Sequence, residues 1–203
     1  MPSAKTKTAA PRRNKHYEKR LASILKAASK IIARDGFEGA SVRKVAAEAK
    51  INLSNIYYYF KCKDEMLFEL QKHAFTTLKN TLEERLIKVE TPEARLKAVI
   101  ENHFQFFSTN MNDLKVCSYE IGSLGGTYYK QILKIRQEYY KLVKDVVAEN
   151  KTKSKRTDLN LATLYLFGSL NWIYMWYDPK KNSDIGKLSN QLLKIYLNGI
   201  KIS

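Results

Sequence analysis

The sequence predicts an all-helical protein of about nine helices. Apolar residues recur three and four positions apart along most of its 203 residues, and this is the spacing of one face of a helix. No segment shows the alternation of apolar and polar residues that is typical of a half-buried strand. Pro92 and the pair Gly125-Gly126 separate these repeats, as expected of residues that begin or end helices. A chain of this length can bury a core in one or two domains.

The first quarter of the chain predicts a basic arm and three helices. Residues 1–16 are polar and basic, and we expect a disordered arm there. A helix with a regular apolar face follows and ends at Asp35-Gly36, because glycine readily adopts the left-handed conformation that closes a helix. Ser41 can cap a second helix. Residues 50–52 form a tight turn, and residues 53–60 form the third helix.

Longer apolar repeats predict six further helices after the third. In the first of them Leu67, Leu70 and Ala74 begin an almost unbroken three-and-four repeat that continues through Leu86. A solvated linker is predicted after residue 150. The predicted bounds of the six helices are about 64–89, a helix starting at Pro92, 113–124, 127–150, 159–177 and 184–202.

The whole chain has a formal net charge of +16. The excess of basic residues is larger in its N-terminal part. Residues 1–79 carry 17 basic and 7 acidic side chains, whereas residues 80–203 carry 19 and 13. A basic end of this kind is typical of nucleic-acid-binding proteins, because cationic side chains neutralise phosphates. Charge alone is equally compatible with a soluble basic protein that binds no nucleic acid.

Several classes of protein are disfavoured by what the sequence lacks. Its two cysteines, Cys62 and Cys117, form no CxxC pair and no cluster with histidine at metal-ligand spacing, so we expect no metal site and a reducing, cytoplasmic location. The N-terminus lacks the apolar segment of a signal peptide. The charge-free run 159–177 contains four polar residues, so a buried helix is favoured over a membrane span. We expect no catalytic residues and no cofactor.

Residues 41–60 predict a helix-turn-helix, whose second helix fits the major groove of DNA. In that helix Ile56 and Phe60 are four positions apart and can face inward. Ser54, Asn55 and Tyr58 would then face double-stranded DNA, where a tyrosine ring can contact sugars and bases while its hydroxyl reaches a phosphate. The alternative is that the tyrosines are ordinary core aromatics.

The same residues resemble the TetR family of transcriptional repressors. The resemblance rests on Ser41 at the start of a helix, the run Tyr57-Tyr58-Tyr59-Phe60, Lys63 three residues later, and Asp64-Glu65 opening the fourth helix. It implies a helix-turn-helix domain at 17–63 and a ligand-binding and dimerisation domain at 64–203. One departure is Cys62, where a serine or asparagine cap is common; oxidation sensing by this thiol is a minor alternative.

The resemblance also implies roles for individual residues. Arg43 would contact a base, and Ser54, Asn55 and Tyr58 would read or line the groove. Phosphates would be held by Ser41, Tyr57, Tyr59 and Lys63. A homodimer would bind a palindromic operator, with the last two helices of each subunit at the interface. The expected interface residues in the last helix are Ile185, Leu188, Leu192, Ile195, Gly199 and Ile202.

The C-terminal half is rich in aromatic residues, and the segment from Phe167 to Pro179 resembles TetR regulators that respond to acyl-CoA thioesters. Met175 departs from that group, in which a basic residue is frequent. The resemblance implies a small-molecule effector, with an acyl-CoA expected. His103 is either a core histidine or a polar ligand contact. The residues expected to line the ligand pocket are His103, Phe104, Phe107, Tyr119, Leu124, Phe167, Trp172 and Trp176.

Three other functions stay open from the sequence. A repressor of the same family that senses an aromatic or drug-like compound would fit every feature except the segment around Trp172 and Trp176. An architectural DNA-binding protein that ignores ligands would explain the charge but not the large aromatic half. A small enzyme is disfavoured because no catalytic constellation is recognisable.

Overall fold

The computed structural model describes residues 15–150, 158–178, 181 and 184–198. Within these residues the chain forms nine α-helices and two 3-10 helices, in agreement with the predicted all-helical fold. Residues 1–14 of the predicted arm, most of the predicted linker, Pro179, Gly199 and Ile202 lie outside the described residues. Residues 15 and 16, which were predicted to belong to the disordered arm, are the first residues of α1. The α-helices are α1 Lys15–Gly39, α2 Val42–Glu48, α3 Leu53–Tyr59, α4 Lys63–Leu86, α5 Pro92–Thr109, α6 Met111–Tyr119, α7 Gly126–Glu149, α8 Leu159–Asn171 and α9 Ile185–Asn198.

Helices α1 to α3 pack around the first turns of α4 to form a small N-terminal core. Ile24 and Ile32 of α1, Val45 of α2 and Ile56 of α3 are buried together there with Leu67 of α4. Burial of several large aliphatic side chains in one cluster stabilises such a domain, at about 1.5–3 kcal/mol for each. The core therefore fixes α3 through one side only.

The predicted break at Asp35-Gly36 is present, although the chain makes one more helical turn after it. Gly36 has a φ of 71°, a value that favours glycine, and it kinks α1 before the helix resumes to Gly39. The kink sets the direction of the segment that leads into α2. A substitution at Gly36 would strain the backbone at this corner.

Helix α4 contributes buried residues to both cores of the chain. Its predicted apolar face is buried throughout. Leu67 and Leu70 lie in the N-terminal core, whereas Leu78, Leu82 and Leu86 lie in a second, C-terminal core. The helix ends at Leu86, three residues before the predicted end. A long helix shared by two cores can transmit a movement from one to the other.

Helix α4 begins with a side-chain cap from Cys62. Its Sγ accepts a hydrogen bond from the backbone N–H of Glu65 at 3.4 Å, and the Glu65 carboxylate accepts one from the N–H of Lys61 at 2.5 Å. Cys62 thus occupies the N-cap position of α4.

Helices α5 to α9 form the C-terminal core, with α5 packed against α4, α7 and α9. Thr91 caps α5 and Pro92 stands in its first turn, as predicted. Two predicted helices are shorter than expected because each ends in a 3-10 turn, Glu120–Ser123 after α6 and Trp172–Met175 after α8. Among the described residues, none of the helices combines the length and apolar character needed to cross a membrane.

Candidate nucleic-acid interface and ligand pocket

Local hydrogen bonds set the angle between α2 and α3. The Ser41 hydroxyl caps α2 by accepting a hydrogen bond from the N–H of Lys44 at 3.2 Å. Lys50 then adopts a φ of 53°, in the left-handed region that is uncommon for residues other than glycine. The N–H of Ile51 closes the turn by donating to the carbonyl of Ala46 at 3.0 Å. The predicted turn at residues 50–52 is therefore present.

Helix α3 is attached by one face and presents the other to solvent. Ile56 and Phe60 are buried, as predicted from their spacing, while Ser54 and Asn55 are exposed. Tyr58 is 75% exposed and Tyr57 is 53% exposed. Exposed hydroxyl, amide and phenol groups in one short helix can hydrogen-bond to base edges and phosphates.

A cluster of three tyrosines joins α3 to the start of α1. The ring of Tyr17 stacks on Tyr59 with centroids 4.9 Å apart and meets the edge of Tyr58 at 6.2 Å. Burial raises the pKa of Tyr59, so its hydroxyl stays protonated and can donate a hydrogen bond. Tyr59 is half-buried, whereas Tyr57 and Tyr58, which precede it in α3, are exposed. No sequence pattern predicts that Tyr17 takes part, because the contact joins residues 42 positions apart in the chain.

The two predicted basic contact residues differ in their surroundings. Arg43 is exposed on α2. Lys63 is engaged within the protein: its ammonium donates to the carbonyl of Phe37 at 3.0 Å, lies 4.2 Å from the centre of the Phe37 ring and is 3.8 Å from the carboxylate of Glu38. A phosphate contact by Lys63 would have to share the ammonium with these partners.

A cavity of about 300 Å³ lies among α4 to α8 in the C-terminal part of the chain. Three of the predicted ligand residues line it, namely His103, Phe107 and Phe167. Much of the remaining wall is apolar and aromatic, which is typical of a small-molecule site. The further lining residues are Phe75, Leu114, Cys117, Ser118, Leu133, Arg136, Gln137, Tyr139, Tyr140, Leu164 and Asn171.

Polar groups in this cavity are joined through His103. Its Nε2 lies 3.1 Å from the Asn171 side-chain oxygen and its Nδ1 lies 3.4 Å from the Tyr139 hydroxyl. Burial lowers the pKa of His103 to about 3, so the ring is neutral at physiological pH. Since the Asn171 oxygen only accepts, Nε2 carries the proton and Nδ1 accepts from Tyr139. His103 is thus a hydrogen-bonded core residue whose ring also faces the cavity.

The depressed pKa of His103 predicts a loss of stability in mild acid. The unfolded chain binds a proton near the ordinary pKa of 6.5, whereas the folded chain binds it only near 3. Stability is therefore greatest above pH 6.5 and falls as the pH is lowered toward 3. We expect His103 to contribute a loss of about 2 kcal/mol between about pH 7.5 and about pH 5. Urea unfolding of the wild type and His103→Gln at both pH values measures it; equal pH dependence of the two proteins would contradict it.

The other predicted ligand residues lie away from this cavity. Phe104 is buried in the C-terminal core, and Leu124 is buried in the N-terminal core. Trp172 and Trp176 are about half exposed. Tyr119 is exposed, and its hydroxyl is hydrogen-bonded to that of Tyr174.

The predicted interface residues of α9 divide between two environments. Ile185, Leu188 and Leu192 are half-buried and pack against the C-terminal core, whereas Ile195 is exposed. The interface was also predicted to include α8, although none of its residues was named. Its exposed apolar surface, which we call the α8 stripe, consists of Leu161, Leu164 and Tyr165 of α8 and Trp172 at the start of the following 3-10 helix.

Glu120 connects the C-terminal part of the chain to the corner between α1 and α2. One carboxylate oxygen accepts a hydrogen bond from the N–H of Phe37 at 3.0 Å, and the Glu120 carbonyl accepts one from the Gln71 amide at 3.1 Å. The Phe37 carbonyl is bound in turn by Lys63. One peptide segment of the N-terminal domain is therefore held both by the end of α6 and by the start of α4. No motif indicated Glu120 in advance.

Two family models match the chain. The model described as "Bacterial regulatory proteins, tetR family" matches residues 24–70, which contain α2 and α3. The model described as "Tetracyclin repressor-like, C-terminal domain" matches residues 89–200, more than half of the chain.

Individual relatives are similar over most of their length. The fatty acid metabolism regulator protein of Bacillus subtilis (strain 168) is 26% identical over 181 residues, which cover 87% of this chain and 93% of that protein. A TetR-family transcriptional regulator from Bordetella parapertussis 12822 has a TM-score of 0.82 at 21% identity, covering 92% of this chain and 100% of the other. The regulator FadR from Bacillus subtilis, solved in complex with stearoyl-CoA, has a TM-score of 0.71 at 26% identity, covering 89% and 99%.

These matches agree with the exposed face of α3 and with the cavity in the C-terminal half. The family models and relatives described above are transcriptional regulators. The chain belongs to the TetR family of bacterial transcriptional regulators, and it is a helix-turn-helix DNA-binding protein that responds to a small-molecule ligand.

Proposed function

We propose that this regulator binds a palindromic operator as a homodimer in the cytoplasm, represses transcription there, and is released by a fatty acyl-CoA or a related thioester. The observation that carries the proposal is the aromatic and aliphatic cavity between α4 and α8. It is supported by similarity to a fatty acid metabolism regulator and to a regulator solved with stearoyl-CoA. An apolar chain is the kind of ligand that such walls bind.

The size of the cavity favours an acyl chain of medium length. A volume of about 300 Å³ is at the small end of the range of about 300–1,000 Å³ that ligand pockets occupy. We therefore expect a decanoyl chain to fit it, whereas a stearoyl chain would require the walls to move apart. We therefore expect decanoyl-CoA to bind more tightly than butyryl-CoA, which fills less of the cavity and buries less apolar area.

For the operator complex we propose that α3 enters the major groove. Asn55 and Tyr58 are exposed at its reading face and Arg43 is exposed on α2, so these side chains can reach base edges together with Ser54. Phosphates would be contacted by Ser41, Tyr57, Tyr59 and Lys63. Of these, Lys63 and Tyr59 already have partners within the protein, so their contribution requires local rearrangement.

We place the dimer interface on α8 and α9. The α8 stripe exposes four large apolar side chains, three of them on the first two turns of α8 and the fourth just after its end, and exposed apolar surface of this kind marks an interaction site. Ile195 of α9 adds to it. A symmetric dimer of this type would present its two α3 helices about 34–36 Å apart, one turn of DNA.

The route from ligand to DNA is proposed to run through α6. Leu114, Cys117 and Ser118 of α6 line the cavity, and Glu120 directly follows that helix and binds Phe37 in the N-terminal domain. A ligand that displaces α6 would move this hydrogen bond and hence the corner that orients α2. Release then depends on the difference between the ligand's affinities for the two arrangements.

Replacing Glu120 is expected to weaken this coupling while leaving ligand binding nearly unchanged. In Glu120→Ala the Phe37 N–H loses its acceptor, and coupling changes of this kind are worth about 0.5–2 kcal/mol. We expect the ligand-induced loss of operator affinity to shrink by roughly 2- to 30-fold. The ratio of operator Kd values with and without saturating ligand measures it. Glu120→Gln keeps the acceptor oxygen and should retain most of the coupling; identical ratios in all three proteins would exclude this route.

Fluorescence anisotropy tests the proposed effector. Labelled DNA from upstream of the regulator's own gene is bound to the protein and titrated with butyryl-, decanoyl- and stearoyl-CoA, and with free coenzyme A as the control. We expect decanoyl-CoA to release the DNA most effectively and coenzyme A to have no effect. If no thioester releases a specific complex, the acyl-CoA effector is wrong; release by aromatic compounds would then favour the alternative ligand class. Loss of sequence preference would favour an architectural role.

A further inference from the structure

Arg136 of α7 places a guanidinium in the wall of the ligand cavity. Its Nη1 donates to the carbonyl of Cys117 at 2.8 Å, and the group lies 4.7 Å from the centre of the Phe75 ring. The side chain is half-buried. It is the only lysine or arginine among the described residues that line this cavity.

The charge of Arg136 is not balanced by a carboxylate. Within the described ranges, no aspartate or glutamate oxygen lies within 4.0 Å of the guanidinium. Other partly buried bases have such partners: Arg95 is paired with Glu149 at 2.7 Å and Lys79 with Glu138 at 2.9 Å. Burial also lowers the pKa of Arg136.

Such an arrangement leaves hydrogen-bonding capacity unused. A guanidinium has five N–H donors in a planar fork, and the Cys117 carbonyl takes one of them. A partly desolvated cation without a counter-ion is costly, and the cost falls when an anion binds to it. The fork matches the two oxygens of a carboxylate or a phosphate.

We infer that Arg136 binds a negatively charged oxygen group of the effector, attached to the apolar chain that fills the rest of the cavity. This inference rests on the proposed function, because it assigns the polar end of the proposed acyl ligand. The negative group can come from two sources. It is either the carboxylate of a free fatty acid or a phosphate of the coenzyme A part of a thioester.

Calorimetric titration with three ligands of the same chain length distinguishes these sources from a purely structural role. The ligands are decanoyl-CoA, decanoate and the uncharged decanol, and the proteins are the wild type, Arg136→Gln and Arg136→Lys. Lys141→Gln is the matched control, since Lys141 is exposed on the same helix and does not line the cavity. Thermal melting shows that each variant is folded.

We expect Arg136→Gln to weaken the binding of the charged ligand by about 10- to 100-fold, the range for hydrogen bonds to charged groups. Decanol should bind the wild type and Arg136→Gln equally. Arg136→Lys keeps the positive charge but not the planar fork of donors. Its affinity for the charged ligand should therefore lie between those of the wild type and Arg136→Gln. If Arg136→Gln fails to fold, Arg136→Lys replaces it, and its binding of the charged ligands and of decanol is compared with that of the wild type.

Several outcomes would overturn the inference. Equal weakening of charged ligands and decanol would show that Arg136 only supports the cavity, and no weakening of either would show that it binds nothing. Arginine-dependent binding of decanoate, without binding of decanoyl-CoA, would uphold the inference and refute the proposed thioester. If the wild type binds none of the three ligands, both proposals fall.

Discussion

Leu161→Glu is expected to convert the dimer to monomers and to lower operator affinity by about 100-fold or more. Leu161 belongs to the α8 stripe and is about half exposed in the isolated chain. In the proposed dimer it would be buried, so the substitution would place an unpaired charge in an apolar interface. A monomer reads one half-site only, and linking two reading heads raises affinity by roughly 10²- to 10⁴-fold. Light scattering after gel filtration gives the mass, and anisotropy gives the operator affinity.

The matched control for Leu161→Glu is Ile87→Glu. Ile87 is 85% exposed at the end of α4, so the control makes the same kind of change on an apolar residue outside the stripe. We expect Ile87→Glu to stay dimeric and to bind the operator normally. A Leu161→Glu protein that remains dimeric would show that α8 is not the interface.

Tyr58→Ala is expected to weaken operator binding by roughly 10- to 100-fold. Tyr58 is 75% exposed on the solvent-facing side of α3, and its contacts with Tyr17 and Tyr59 are made by ring edges. Its loss should therefore remove DNA contacts at little cost to folding. Anisotropy with operator DNA and with a scrambled sequence, together with the melting temperature, measures both effects.

Two further variants sharpen this test. Tyr58→Phe removes only the hydroxyl, so a large effect would assign a hydrogen bond to DNA, and a small one would assign ring contacts. Tyr129→Ala, which removes an exposed tyrosine of α7, should leave operator binding unchanged. Full operator affinity in Tyr58→Ala would contradict the proposed orientation of α3.

The fold was predictable because helix formation in this chain follows local patterns. The three-and-four repeat through Leu78 and Leu82 predicted the buried face of α4, and Ser41, Pro92 and Gly126 stand at helix starts as expected. Helix ends were less predictable. The run 159–177 contains neither proline nor a glycine pair, yet α8 ends at Asn171, where the side chain binds His103 from another helix. A tertiary contact of this kind leaves no local signal.

The functional sites were predictable to different degrees for the same reason. The exposed face of α3 follows from its spacing, since burying Ile56 and Phe60 leaves Tyr58 outside. The cavity depends on how five helices pack, so aromatic content alone did not separate Phe107, which lines it, from Phe104, which does not. Arg136 and Glu120 acquire their importance only from neighbours that are distant in sequence.

The most direct test of ligand-controlled DNA binding is to measure how much the operator and decanoyl-CoA weaken each other's binding. Binding of decanoyl-CoA is measured by calorimetry twice, once with the free protein and once with the protein saturated with operator DNA. If one equilibrium links the two sites, the operator must weaken decanoyl-CoA binding by the same factor by which decanoyl-CoA weakens operator binding. We predict a factor of roughly 5 to 150 in both directions. Equal affinity of decanoyl-CoA for the free and the operator-bound protein would contradict the account.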